Sequence, residues 1–301
     1  MPRRWCCTAC TAASPKTTWR WDKKMKLFPQ FPPYISLTER VWFYFSRGFN
    51  LLVLLFLLLP ILVIIPLSFS DSTFLVYPIH GFSMRWYQNL VQSDEWVSAA
   101  KNSFIVAPLA TVLATVLGTL AAVGLNKADF HGKGLLMAVL ISPMVVPVVV
   151  VGVGVYLFFA QIGLSDSYTG LILAHAALGA PFVVTTVLAT LQGFNQNLVR
   201  ASLSLGANPL STFFRITLPV IAPGLISGAL FAFATSFDDV VVTLFVAGPG
   251  QATLPRQMFT GIKENISPTI AALATILIVF STCLLLVLEW IRGRNKALAK
   301  F

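Results

Sequence analysis

A run of twenty-one residues without a charge constrains this chain more than any other feature. From Phe49 to Phe69 it reads FNLLVLLFLLLPILVIIPLSF, with no Asp, Glu, Lys, Arg or His. A helix needs about 20 predominantly apolar residues to cross a hydrocarbon core about 30 Å thick, at about 1.5 Å per residue. Five further stretches meet that demand: roughly Asn102 to Leu125, Leu135 to Ala160, Thr169 to Leu191, Leu218 to Phe237 and Thr269 to Leu288. The 301 residues are 56% hydrophobic and 11% charged. A soluble domain carries about 25% charged residues, so a water-soluble enzyme is excluded. Alternation at period two is absent, which removes a β-barrel. The expected fold is an all-α integral membrane protein with six transmembrane helices.

The charges then set the orientation. With the N-terminus inside, the inner segments are 1–48, 126–134, 192–217 and 289–301, and they hold 17 of the 21 Lys and Arg. Arg85, Lys101, Arg256 and Lys263 are the four left outside. The positive-inside bias therefore predicts both termini inside. It also accounts for the net charge of +10 without a nucleic-acid partner. The expected organisation is a cytoplasmic segment 1–48, a six-helix domain 49–291 containing a loop at 192–217, and a cytoplasmic tail 292–301. Residues 1–24 have no apolar periodicity, and Met25 is read as the start of the functional chain. A cleaved signal peptide is not expected, because the Phe49–Phe69 core is too long.

Few residues suggest chemistry. Cys6, Cys7 and Cys10 are crowded thiols without a partner pair, and a zinc site takes four ligands in recognisable spacing. Cys283 reads as a small apolar residue packed in the last helix. No metal is expected. His80 and His131 fall in loops. His175 lies inside the fourth span, where an ionisable side chain either serves function or is a neutral imidazole bonded across a helix pair; the second reading is preferred. Gly132-Lys133-Gly134 lacks the spacing and the hydroxyl of a phosphate loop. Gly152 and Gly154 lie in an apolar helix and form no dinucleotide fingerprint. Gly224 and Gly228 form GxxxG, which suits close helix packing. No nucleophile elbow is present, so no catalytic site and no bound cofactor are expected in this chain.

The loop between the fourth and fifth spans is the most informative segment. Residues 197–219 read NLVRASLSLGANPLSTFFRITLP. Leu198, Ala201 and Leu205 recur at helical spacing. Gly206 can take the positive φ that ends a helix, and Pro209 suits the first turn of the next. A helical hairpin on the membrane's inner face is expected, as a docking element. The spacing resembles the E-A-A-x3-G-x9-I-x-L-P loop of membrane subunits of binding-protein-dependent ABC importers, through Ala201, Gly206, Ile216, Leu218 and Pro219. Two positions depart: Arg200 stands at the Glu position and Ser202 at the second Ala. The resemblance implies a type I importer permease fold in the inner membrane, with this loop seated in a cleft of an ATPase subunit. It further implies an ATPase dimer that holds ATP and Mg, a second permease subunit and a periplasmic or extracellular substrate-binding protein. Membrane lipid is the remaining partner.

The fifth span ends on Asp238 and Asp239. Twenty helical residues from Leu218 place Asp238 about 30 Å along, near the far edge of the hydrocarbon core. Two adjacent carboxylates repel each other there. They either face a cationic substrate or cap the span in water, and both readings fit. SFDD at 236–239, FVAGP at 245–249, TLP at 253–255, NISP at 265–268 and ALAT at 272–275 resemble the second permease of spermidine/putrescine importers, as do Phe82-Ser83 and Trp86-Tyr87. The resemblance implies that Asp238 and Asp239, with Ser236 beside them, lie on a polyamine path. Relatives for opines, amino acids and ω-amino acids share the pattern. Trp86 and Tyr87 either stack on an alkylamine or anchor the interface; the anchor is slightly preferred. A secondary carrier would need repeats and broken midplane helices. Pro143 and Pro147 offer one break, without a matching second half. A channel lined by Asp238 and Asp239 would need no ATPase, and a scaffold leaves the loop spacing unexplained.

Overall fold

The computed structural model describes residues 36–79, 81–264 and 267–298, with side chains for all of these except 264 and 287–298. Cys6, Cys7, Cys10, Met25, His80 and the pair Asn265-Ile266 lie outside the described residues. The chain divides into two units, one ending at Leu58 and one beginning at Leu59.

Helix α1 (Leu37–Leu67), whose residues up to Leu58 belong to the first unit and the rest to the second, begins on a reciprocal cap. The Ser36 N–H donates to Glu39 Oε2 at 3.0 Å, and the Glu39 N–H donates to Ser36 Oγ at 3.3 Å. This pairing satisfies two of the donors that every helix start leaves open. The helix therefore starts twelve residues before the apolar run, inside the segment expected to precede the first span. None of its residues is buried.

The second unit holds the remaining elements. They are α2 (Arg85–Gln92), α3 (Asp94–Lys127), α4 (Lys133–Val145), α5 (Val148–Ile162), α6 (Tyr168–Gln192), α7 (Asn197–Ser204), α8 (Pro209–Thr212), α9 (Leu218–Phe237), α10 (Val241–Val246), α11 (Leu254–Glu264) and α12 (Pro268–Leu298). Among the described residues, five helices are long and apolar enough to cross a membrane: α1, α3, α6, Pro209–Phe237 and Pro268–Leu286. The third expected span is the exception. It is split into α4 and α5, bent by 107°, and makes a sixth crossing only if the pair counts as one. Pro147 has no N–H and disfavours helical backbone at the residue before it. Val146 accordingly adopts φ −70°, ψ 136°. Among the described residues the one strand-like pairing is the bridge between Ser70 and Phe82.

Small residues bring α3, α6 and α9 together. Ala110, Ala114 and Ala122 of α3, Ala176 and Val183 of α6, and Ile221 and Ala232 of α9 share one buried cluster. The GxxxG pair lies on this seam. A Cβ added at Gly228 would sit 2.7 Å from Val183 Cα, and one at Gly224 would sit 2.8 Å from the Thr186 carbonyl oxygen. In lipid there is little hydrophobic drive between helices, so such backbone-close packing supplies much of the association.

The stretch between α9 and α12 is folded against α3. Asn102 Nδ2 donates to the Gly250 and Ala252 carbonyls at 3.0 and 2.9 Å, and Tyr168 Oη donates to Asn102 Oδ1 at 2.8 Å. Arg256 Nη1 donates to the Ala247 and Gly248 carbonyls at 2.7 and 2.8 Å. Cys283 is exposed on α12 rather than packed, because it lies on a face that no other described element covers.

Candidate functional site

Helix α7 ends in a Schellman turn. The Gly206 N–H donates to the Leu203 carbonyl at 3.0 Å, and the Ala207 N–H to the Ser202 carbonyl at 3.2 Å. The turn needs φ > 0 at its penultimate residue, and Gly206 supplies φ +84°. Asn208 then caps α8 by accepting from the Ser211 N–H at 2.7 Å. The expected second short helix is not separate. α8 runs through a π turn, Phe213–Thr217, into α9, giving one helix from Pro209 to Phe237. Pro219 explains the wide turn. It lacks an N–H, and its ring would crowd the carbonyl of residue 215 in a regular helix. The Leu218 N–H instead donates to the Phe213 carbonyl, and the helix passes the proline without stopping.

The two legs of this loop are clasped by the departure from the family pattern. Ser202 Oγ and Thr212 Oγ1 share a hydrogen bond of 2.9 Å, and both residues are buried. An Ala at 202 has no such bond to give. Arg200, Ala201 and Gly206 are exposed, Ile216 and Leu218 are half-buried, and Pro219 is exposed. Leu205 is 87% exposed and Leu210 68%, an unusual display of aliphatic surface for the tip of a connecting loop.

At the other end of α9 the two carboxylates part company. Asp239 turns into the protein, with its side chain 7% exposed. Its Oδ2 accepts from the Thr243 N–H at 2.9 Å and from Thr243 Oγ1 at 3.1 Å, and its Oδ1 accepts from the Val242 N–H at 3.4 Å. It caps the start of α10. Asp238 is exposed and borders a cavity of about 800 Å³ whose lining includes Phe233, Phe237, Pro255 and Phe280. Asp238 and Asp239 are the only charged groups among the residues lining it. Phe237 packs on Phe233 and Phe280, with ring centroids 5.5 and 5.3 Å away. These phenylalanines were not singled out from sequence. Phe280 is 42 residues from Asp238, and nothing in its neighbourhood marks it among the 24 Phe of the chain.

Ser236 does not reach the cavity. It is buried, and its Oγ lies 2.8 Å from His175 Nδ1. His175, fully buried on α6, places Nε2 3.1 Å from Thr243 Oγ1 and 3.6 Å from Asp239 Oδ2. The imidazole is thus bonded across helices. Trp86 and Tyr87 sit apart from these residues. Trp86 Nε1 donates to the Ser70 carbonyl at 2.7 Å, and its ring packs among Leu90, Ala99, Leu254 and Ala272. Tyr87 Oη shares a 2.7 Å hydrogen bond with Ser68 Oγ, and its ring leans on Phe69. Their polar ends are bonded within the fold and neither borders the Asp238 cavity. Amphipathic rings satisfy both ends at once in such a seat, which the dipeptide alone does not reveal.

Known proteins place this architecture. The chain is 34% identical over 253 residues to the spermidine/putrescine transport system permease protein PotC of Haemophilus influenzae, covering 84% of this chain and 98% of that one. It is 36% identical over 230 residues to the putrescine transport system permease protein PotI of Escherichia coli, covering 74% and 82%. The molybdate/tungstate permease WtpB of Pyrococcus abyssi is 30% identical over 256 residues, covering 84% and 97%. In structure it resembles a bacterial ABC transporter involved in the import of the acidic polysaccharide alginate, with a TM-score of 0.68 at 14% identity, over 87% of this chain and 99% of that chain. The family model for the inner membrane component of binding-protein-dependent transport systems matches residues 114–296. With its helical membrane fold and its loop spacing, the chain belongs to that family: it is an inner-membrane permease component of an ABC importer.

Proposed function

We propose that this permease passes a polyamine, or a similar amine-bearing solute, into the cytoplasm by alternating access. The observation that carries the reading is Asp238. Its carboxylate takes no hydrogen bond from the described residues and borders a cavity whose other lining side chains, apart from the hydrogen-bonded Asp239, are uncharged and mostly apolar. A carboxylate beside phenylalanine faces suits an alkylammonium group, through charge and through the ring quadrupole. It disfavours an oxyanion of the kind named for the Pyrococcus abyssi relative. The names of the PotC and PotI relatives point the same way.

The drive comes from outside the chain. An ATPase dimer holding ATP and Mg seats Arg200, Ala201, Gly206 and the π turn in its clefts. Ile216, Leu218 and Pro219 fix how α9 leaves the loop. A second permease completes the path, and a periplasmic or extracellular binding protein delivers cargo. Both termini and the loop face the cytoplasm in this reading, which the distribution of Lys and Arg supports. The six-helix domain then covers 49–291, with α4 and α5 together forming its third crossing.

Reconstitution with these partners and a radiolabelled polyamine tests the reading. Asp238→Asn is expected to raise the apparent KM for the polyamine about tenfold, the effect of losing about 1.4 kcal/mol of charge pairing. Uptake of neutral solutes should change far less. Equal losses for both would exclude a cation site. Asp239→Asn is expected to reduce the amount of folded permease as well as its uptake, because Asp239 caps α10.

A further inference from the structure

Helices α6 and α9 enter and leave the coupling loop. α6 runs into it at Gln192, and α9 rises out of it at Leu218. At their far ends the same two helices are tied by a polar chain. Ser236 near the end of α9, His175 on α6, Thr243 on α10 and Asp239 between α9 and α10 follow one another at 2.8, 3.1 and 3.1 Å.

The donors in this chain are assigned by elimination. Thr243 Oγ1 spends its hydrogen on the Asp239 carboxylate, which can only accept. Its oxygen therefore accepts from His175 Nε2–H. A neutral imidazole then offers Nδ1 as acceptor, and the Ser236 hydroxyl donates to it. Each of these four side chains is hydrogen-bonded to the next, and each bond polarises the one after it. The end of the chain is Asp239, one residue from Asp238.

We propose that the Ser236–His175–Thr243–Asp239 chain is a positioning element. It fixes the turn bearing Asp238 to α6, so that a shift of the coupling loop reaches the cavity through α6 and α9 together. The proposal rests on the reading that the loop docks on an ATPase and that Asp238 faces the cargo. His175 lies 17 residues before Gln192, about 25 Å along α6. Over that length α6 and α9 meet through Gly224 and Gly228 at backbone distance, which lets the pair move as one body. The α9–α10 turn also leans on α6 through Val242 and Val246, which pack with Ala174 and Leu178, and the polar chain adds a directional link to that apolar contact. Tied through His175, it follows the pair.

The test compares His175→Ala with His175→Gln in the reconstituted transporter, reading cargo moved per ATP hydrolysed, cargo KM and the yield of assembled complex. Gln keeps an acceptor oxygen and a donor nitrogen on one carbon, as the two ring nitrogens flank one carbon in His. His175→Ala is expected to lower cargo moved per ATP about tenfold and to raise KM, while His175→Gln stays within about twofold of the parent. Thr243→Val, which removes the middle link without touching His175, should match His175→Ala. Unchanged transport per ATP in His175→Ala overturns the proposal. So does a His175→Gln variant as impaired as His175→Ala, since that outcome marks the ring as packing alone. Loss of transport in Asp238→Asn is a KM effect expected to recover at saturating cargo, whereas the lowered cargo per ATP of His175→Ala is expected to persist there. A failed cargo reading and a failed transmission reading therefore give different results.

Discussion

The two ends of the α6–α9 pair are built by opposite rules. At the His175 end, the buried Ser236, His175, Thr243 and Asp239 side chains bond to one another, and Gly179 and Ala232 let the backbones touch. At the loop end, Leu205 and Leu210 stand exposed, no side chain lies within 4 Å of where a Cβ at Gly206 would be, and a single buried hydroxyl pair holds the legs together. One end is finished by its own sequence. The other leaves apolar surface open, as the proposed docking on an ATPase requires.

The sharpest way to break this contrast is to attack the packed seam that joins the two ends. Gly228→Leu forces a side chain into Val183 backbone and should cost about 3 kcal/mol or more. Little monodisperse permease should survive detergent extraction, as read by size-exclusion yield. At the unfinished end, Gly206→Asp costs about 1–2 kcal/mol for a left-handed non-glycine residue and meets open space. Insertion should therefore stay intact while uptake is abolished; normal uptake would remove the docking role. The smallest effect is expected at Ser202→Ala. It deletes about 1 kcal/mol of hydrogen bonding and leaves Thr212 buried without a partner. Limited proteolysis between residues 192 and 217 should accelerate about fivefold, and adding Thr212→Val should return most of the protection.

The sequence made the spans legible because their signal is compositional. α6 and α9 begin and end within a residue of the apolar runs that announce them. Pro147 announced a break in the third span but not its angle, which depends on how α4 and α5 pack. α2 and α11 were not anticipated, because neither is apolar enough to stand out. The site was legible in kind and not in detail. Asp238 and Asp239 are equivalent as letters, and only the path of the chain after them decides that one caps α10 while the other stays open. His175 was expected to bond across helices, yet its partners lie 61 and 68 residues away. Trp86 and Tyr87 left two readings open, cargo stacking and the slightly preferred interfacial anchor, because an aromatic ring carries no mark of which surface it will meet. The Ser70 carbonyl and the Ser68 hydroxyl decided that.

The π turn at Phe213–Thr217 gives the loop's spacing an angular meaning. Each residue of an α-helix advances the side chains by about 100°. The unbroken helix from Pro209 to Phe237 therefore converts a count of residues into a direction. With the wide turn absorbing one residue, Leu210 and Phe214 face outward while Ile221, Gly224 and Gly228 face α6. Inserting or deleting one residue between Asn208 and Pro219 would leave every named side chain in place and rotate the glycine seam away from Thr186. The unspecified positions of the motif are thus as strict as the named ones: they hold no chemistry, and on the proposed docking they set the dihedral relation between a partner's cleft and the cargo path.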